Sequence, residues 1–208
     1  MSSALPPFRL ERYFAEYEFK VKYLLSASDC EGLKMHELLA LADEDSLQRW
    51  SDLTLGYTES QGLPALRDEV VSHYAPLHAE DVMVAAPEEC IYIAMRSMLN
   101  PGDHVIAISP AYQSLHEVAR SVGCELTKWQ VRLDGEQWAL DLDELKRSIR
   151  PNTRMLIINF PHNPTGLLPS RATLDAILQI ADLHGLYVFS DEMYRWLEYD
   201  SQQTLPPV

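Results

Sequence analysis

RMLIINFPHNPTGLLPSRATLDAILQIADLHGLYVFSDEMY, residues 154–194, reads as a strand, a proline-rich turn, a helix and a second strand. Met155 to Ile158 form an unbroken apolar run of strand length, the pattern of a strand covered on both faces. SRATLDAILQIADLHG is the helical piece, with Gly185 where a C-cap glycine is expected. LYVFS then returns to strand character. Working outward, the same alternation recurs: DVMVAA (81–86) before EECIYIAMRSML, HVIAIS (104–109) before YQSLHEVARSV, and CELTKWQV (124–131) before LDELKRSI. Strands alternating with helices imply βαβ units and a mainly parallel sheet flanked by helices, an α/β fold. Asn100-Pro101-Gly102-Asp103 breaks one helix before its strand, and Gly123 caps another.

The N-terminal part is organised differently. Leu10, Tyr13, Phe14, Tyr17, Val21 and Leu24 recur at three- and four-residue spacing, which predicts an amphipathic helix over 9–24. MHELLALAD and the stretch from Pro64 supply two further helices. The tail SQQTLPPV is polar and proline-rich, with no element pattern.

Composition narrows the function. Lys and Arg number 17 and Asp and Glu 31 in 208 residues, a formal net charge of −14. That field repels phosphate backbones and anionic bilayers, so neither nucleic acid nor membrane is expected as a partner. No apolar run approaches the roughly 18 residues of a membrane helix. Cys30, Cys90 and Cys124 are too few and too scattered for a disulfide framework or a CxxC motif, which suits a reducing, cytoplasmic compartment. The seven histidines show no metal-ligand spacing, and no metal site is expected.

In open α/β sheets ligands bind beyond the carboxyl ends of the strands. The residues there are informative: FPHNPTG (160–166) follows RMLIIN, DEMY (191–194) follows LYVFS, Pro110-Ala111-Tyr112 follows HVIAIS, and Ala86-Pro87-Glu88 follows DVMVA. Together with Tyr57…Gly62…Leu66-Arg67 and the PGD at 101–103, these segments resemble the fold-type-I pyridoxal-phosphate enzymes, most closely the class I/II aminotransferases. The resemblance spans about residues 20 to 200. It implies an N-terminal arm with part of a small domain over 1–55 and a partial cofactor-binding large domain over 56–208.

The resemblance also implies roles. The ring nitrogen of pyridoxal 5'-phosphate stays protonated beside a buried carboxylate, which falls to Asp191; on the residues alone, an N-capping or loop-solvating aspartate is the alternative. Asn163 and Tyr194 match the donors to the ring's phenolate oxygen. Tyr112 matches the aromatic residue stacked on the ring, though a half-buried loop tyrosine reads the same way. The phosphate falls to the helix N-terminus at Ala86 and Glu88. There the chain departs from the usual glycine and small residues, since Pro87 lacks an N–H and Glu88 and Glu89 also read as plain first-turn acids. Tyr57 matches a tyrosine that reaches the partner subunit's phosphate in a homodimer, or else packs before a glycine turn. The Ser109-Pro110 and Asn163-Pro164 bonds are expected to be cis.

In the family a lysine forms the Schiff base with the cofactor in a segment after the D-x-x-Y strand. The five lysines here, Lys20, Lys22, Lys34, Lys128 and Lys146, all precede Asp191 in unlike contexts, so the chain reads as roughly the N-terminal half of such an enzyme, ending before that lysine, with no catalytic residue assigned. The implied reaction passes an amino group between an amino acid and a 2-oxo acid. Other fold-type-I reactions, such as lyase or decarboxylase chemistry, and a non-catalytic or split half are the competing readings.

Overall fold

The computed structural model describes residues 5–74 and 76–208. The chain divides into two compact units, one of residues 24–85 and one combining the N-terminal residues through Tyr23 with Ala86–Val208.

The larger unit is built on a five-stranded sheet. Its strands are β1 (His104–Ser109), β2 (Glu125–Asp134), β3 (Gln137–Leu140), β4 (Thr153–Asn159) and β5 (Tyr187–Asp191), in the spatial order β3-β2-β1-β4-β5. All pairs are parallel except the β2–β3 hairpin. The chain steps from β1 to β2 on one side and later returns to place β4 on the other. The crevice above β1 and β4 is therefore the point where the winding reverses, the usual ligand position of such sheets.

Helices cover both faces. Preceding the sheet, α1 (Arg9–Tyr17) belongs to this unit, while α2 (Met35–Leu39), α3 (Glu44–Ser51) and α4 (Pro64–Val71) belong to the smaller one. Next in the chain come α5 (Pro87–Met98) and α6 (Ser114–Val122), whose Met95, Leu115 and Ala119 pack with Val105, Ala107, Met155 and Ile157 on one face. On the other, Leu145 of α7 (Leu142–Ser148) and Leu174 and Ile177 of α8 (Arg171–Leu183) pack with Ile106, Ile108, Leu156, Ile158 and Trp129. Alternate residues of β1 and β4 thus serve opposite cores, which explains their unbroken apolar sequence. Trp129 is fully buried and its indole N–H donates to the Asp141 carbonyl at 2.9 Å.

Three local expectations differ from the structure. The first helix stops at Tyr17, not 24; Glu16 and Glu18 place negative charge at its C-terminal end, where the helix dipole disfavours it, and no basic residue lies in the last turn. Residues 82–86 run without a strand assignment despite their β-prone sequence, since Val84 N–H is spent on the Gln61 carbonyl at 2.8 Å rather than on a ladder. The hairpin strand β3 and the polar helix α3, capped by Asp43 onto Ser46 N–H, were not foreseen. Within the smaller unit, Gly62 adopts φ +107°, and a Cβ there would lie 2.7 Å from the Val84 side chain.

Candidate cofactor site

Three strand ends converge above the β1/β4 crevice. Register aligns Asn159 with Asp191, so the loops after β4 and β5 leave the sheet side by side. The Asn163 side-chain amide then donates to the Tyr194 hydroxyl at 3.2 Å, joining two of the expected ring contacts across 31 residues. Asn163 and Pro164 line an open cleft of about 450 Å³ together with Tyr112, which follows β1, and with Arg9, Leu10 and Tyr13 of α1. The Ser109-Pro110, Phe160-Pro161 and Asn163-Pro164 bonds are all cis.

Asp191 and Tyr112 are both held toward their neutral forms. Burial pushes the Asp191 carboxyl above its ordinary range, the Met193 N–H donated to it at 3.1 Å works against this, and the Glu192 and Glu88 carboxylates raise it further. A carboxylate held this way gains from a cationic neighbour, which is what a protonated ring nitrogen supplies. Burial likewise drives the Tyr112 phenol well above its usual value, reinforced by hydrogen bonding to Glu88 and Glu11. Tyr112 is thus a neutral ring at any physiological pH, and its hydroxyl donates to Glu11 Oε1 at 3.2 Å.

At the N-terminus of α5 the picture is mixed. Ala86 is the N-cap with no side-chain bond, Pro87 occupies the first turn, and the Glu88 carboxylate accepts from Ser114 Oγ at 2.9 Å. The residues present fit the ring of pyridoxal 5'-phosphate through a half-buried carboxylate, a paired amide and phenol, and an aromatic face. For its phosphate they offer a helix terminus short of one N–H and flanked by acid, so the phosphate end is the weaker half of the fit. Tyr57 lies in the smaller unit with its side chain fully exposed.

The α1 segment was not read from the sequence as part of this site. It is anchored by Phe8 edge-on to Tyr112 at a ring distance of 4.8 Å, by Arg9 N–H to Gln113 Oε1 at 3.1 Å, and by Gln113 Nε2 to the Pro7 carbonyl at 3.1 Å.

The family model of aminotransferase class I and II matches residues 20–207. The chain belongs to this family. Among curated relatives, the aspartate aminotransferase of Pyrococcus horikoshii is 33% identical over 158 residues, covering 73% of this chain and 40% of that protein. A probable N-succinyldiaminopimelate aminotransferase of Mycobacterium tuberculosis is 39% identical over 127 residues, 61% of this chain and 32% of that protein. Among solved structures, a PLP-dependent aminotransferase from Streptococcus suis superposes with a TM-score of 0.82 at 31% identity, covering 91% of this chain and 52% of that one. The M. tuberculosis N-succinyldiaminopimelate aminotransferase gives 0.70 at 32% identity, covering 77% and 44%. The chain therefore spans between a third and about half of the length of these class I/II aminotransferases. Members of the family use pyridoxal phosphate. Among the described residues no helix is long and apolar enough to cross a membrane.

Proposed function

We propose that this chain carries the ring-binding part of the active site of a pyridoxal-phosphate-dependent aminotransferase, which moves an amino group between an amino acid and a 2-oxo acid. The observation that supports the reading is that Tyr112 and Asn163 line one cleft of a class I/II aminotransferase fold, with Asn163 paired to Tyr194 and a half-buried Asp191 closing the neighbouring strand. Bound there, the cofactor would supply an electron sink for the substrate's α-carbon. Asp191 would keep the ring nitrogen protonated, Asn163 and Tyr194 would donate to the phenolate oxygen, and Tyr112 would fix the plane of the ring and exclude water from one face. Ala86 and the first turn of α5 would take the phosphate, with Glu88 turned to Ser114. We further place the protein in the cytoplasm as a homodimer in which Tyr57 faces the partner subunit. Its full exposure here suits such a role.

Titration of the purified chain with pyridoxal 5'-phosphate, followed by absorbance and by quenching of protein fluorescence, tests the reading. Saturable binding that is lost in both Asp191→Ala and Tyr112→Ala supports it. No binding, or binding indifferent to both changes, overturns it.

A further inference from the structure

Two buried polar side chains behind the crevice have no assigned role. Asn159 closes β4 and is 1% exposed. Its Nδ2 donates to the Asp191 carbonyl at 2.9 Å, and its Oδ1 accepts the backbone N–H of Asn163 at 2.8 Å. One amide thus touches the main chain of two expected ring contacts.

His162, 2% exposed, makes a second bridge. Its Nε2 lies 2.7 Å from the Pro110 carbonyl and its Nδ1 2.7 Å from Thr165 Oγ1. A carbonyl only accepts, so Nε2 carries the proton. Thr165 Oγ1 already accepts the Leu167 N–H at 3.2 Å and gives its own proton to Nδ1. The neutral tautomer is therefore specified from both sides. Pro110 stands two residues before Tyr112, so this ring ties the loop after β1 to the loop after β4.

None of these four side-chain bonds belongs to a strand ladder or a helix. Two of the four cross between strands. Asn159 to the Asp191 carbonyl joins the ends of β4 and β5, a pair the ladder already aligns, and that carbonyl also accepts the Phe160 N–H at 3.2 Å. His162 to the Pro110 carbonyl joins the loops after β4 and β1, where no ladder reaches. The other two brace the turn after β4 itself. We propose that Asn159 and His162 are positioning residues for the cofactor ring, Asn159 setting Asp191 against Asn163 and His162 setting the Tyr112 loop against the Asn163 loop. The proposal rests on the cofactor reading above and adds residues that touch neither cofactor nor substrate.

The test uses the 208-residue chain and two readouts, the dissociation constant for pyridoxal 5'-phosphate and the titration of the Asp191 carboxyl followed by carbon-13 NMR. Asn159→Leu is expected to weaken cofactor binding about tenfold and to move the Asp191 titration, because both bonds are lost in a buried site. His162→Leu is expected to weaken binding about tenfold with the Asp191 titration unchanged, and His162→Gln, which keeps a donor toward Pro110, to recover most of that loss. Should Asn159→Leu not fold, Asn159→Ala removes both bonds without adding a charge and is read in the same way. Folded variants that bind like the unchanged chain, or leucine and glutamine variants of His162 that behave alike, overturn the proposal. Should the unchanged chain not bind the cofactor, the proposed function falls. The Asp191 titration then still decides whether Asn159 holds that carboxylate in place, an unmoved titration overturning it.

Discussion

Tyr112 and Glu11 stand 101 residues apart in sequence, yet the tyrosine hydroxyl donates to the glutamate carboxylate at 3.2 Å and so fastens helix α1 to the loop after β1. Tyr112→Phe removes this bond while keeping the ring. The expected cost is about 0.5–1.5 kcal/mol, confined to the docking of α1. Limited trypsin digestion should therefore cut faster after Arg9 and Arg12, with the sheet core still intact by circular dichroism. An unchanged rate would show that Phe8 and Gln113 suffice to hold the segment.

Asp191 is destabilising where it stands. Its folded-state pKa is raised above the ordinary 3.8, so the folded chain increasingly opposes ionisation as pH climbs from that value through the folded pKa, and the full penalty is present above it. Asp191→Asn removes the charge at nearly constant shape. The cofactor-free chain should melt at a higher temperature than the parent at neutral pH, the gap closing toward about pH 4, and should lose affinity for pyridoxal 5'-phosphate. A lower melting temperature at neutral pH would contradict the assignment of burial as the main influence.

His104, His116 and His162 all have pKa values lowered chiefly by burial from the ordinary 6.5. Above that value both folded and unfolded states are neutral and pH matters little. Below it the unfolded chain takes up protons that the folded chain refuses, so stability falls. Urea midpoints measured from about pH 8 to about pH 5 should stay level and then decline below about pH 6.5. His116→Gln, in a ring whose Nε2 donates to the Ile108 carbonyl at 2.8 Å, should shallow that decline.

Gly62 combines a left-handed φ of +107° with a would-be Cβ 2.7 Å from Val84. Gly62→Ala should destabilise the smaller unit by about 1–3 kcal/mol, seen as earlier loss of amide protection over residues 24–85. Adding Val84→Ala should restore the steric share of this loss and leave the conformational share. Full restoration would mean that φ contributes nothing.

How much of this was legible depends on what each residue's signal is made of. β1 and β4 announce themselves because a strand covered on both faces must be apolar at every position, and HNPTG and SDEMY stand at their family-like spacing. β3 is four residues long and half exposed, so burial imposes no pattern on it. Helix α3 has no buried residue at all and is marked only by its Asp43 cap. Residues 82–86 show the reverse failure, strand-prone side chains whose backbone found a different partner. At the site, Asp191, Asn163, Tyr194 and Tyr112 could be nominated from motif position. Asn159 could have been found as well, since a polar residue closing an all-apolar strand is the informative exception to the burial rule. The α1 contacts could not: an amphipathic stripe says that a face is covered, never by what.

That tether between α1 and the loop after β1 also sets an order of events during synthesis. Pro7 and Arg9 wait for Gln113, 106 and 104 residues further along, and at ribosomal rates of about 5–20 residues per second the wait lasts on the order of 5–20 s. For that interval Pro7 and Arg9 lack their partner, while Leu10, Tyr13 and Tyr17 are exposed even in the docked helix. Strands β2 to β5 emerge only after Gln113, so the first segment made has its partner before the sheet is complete.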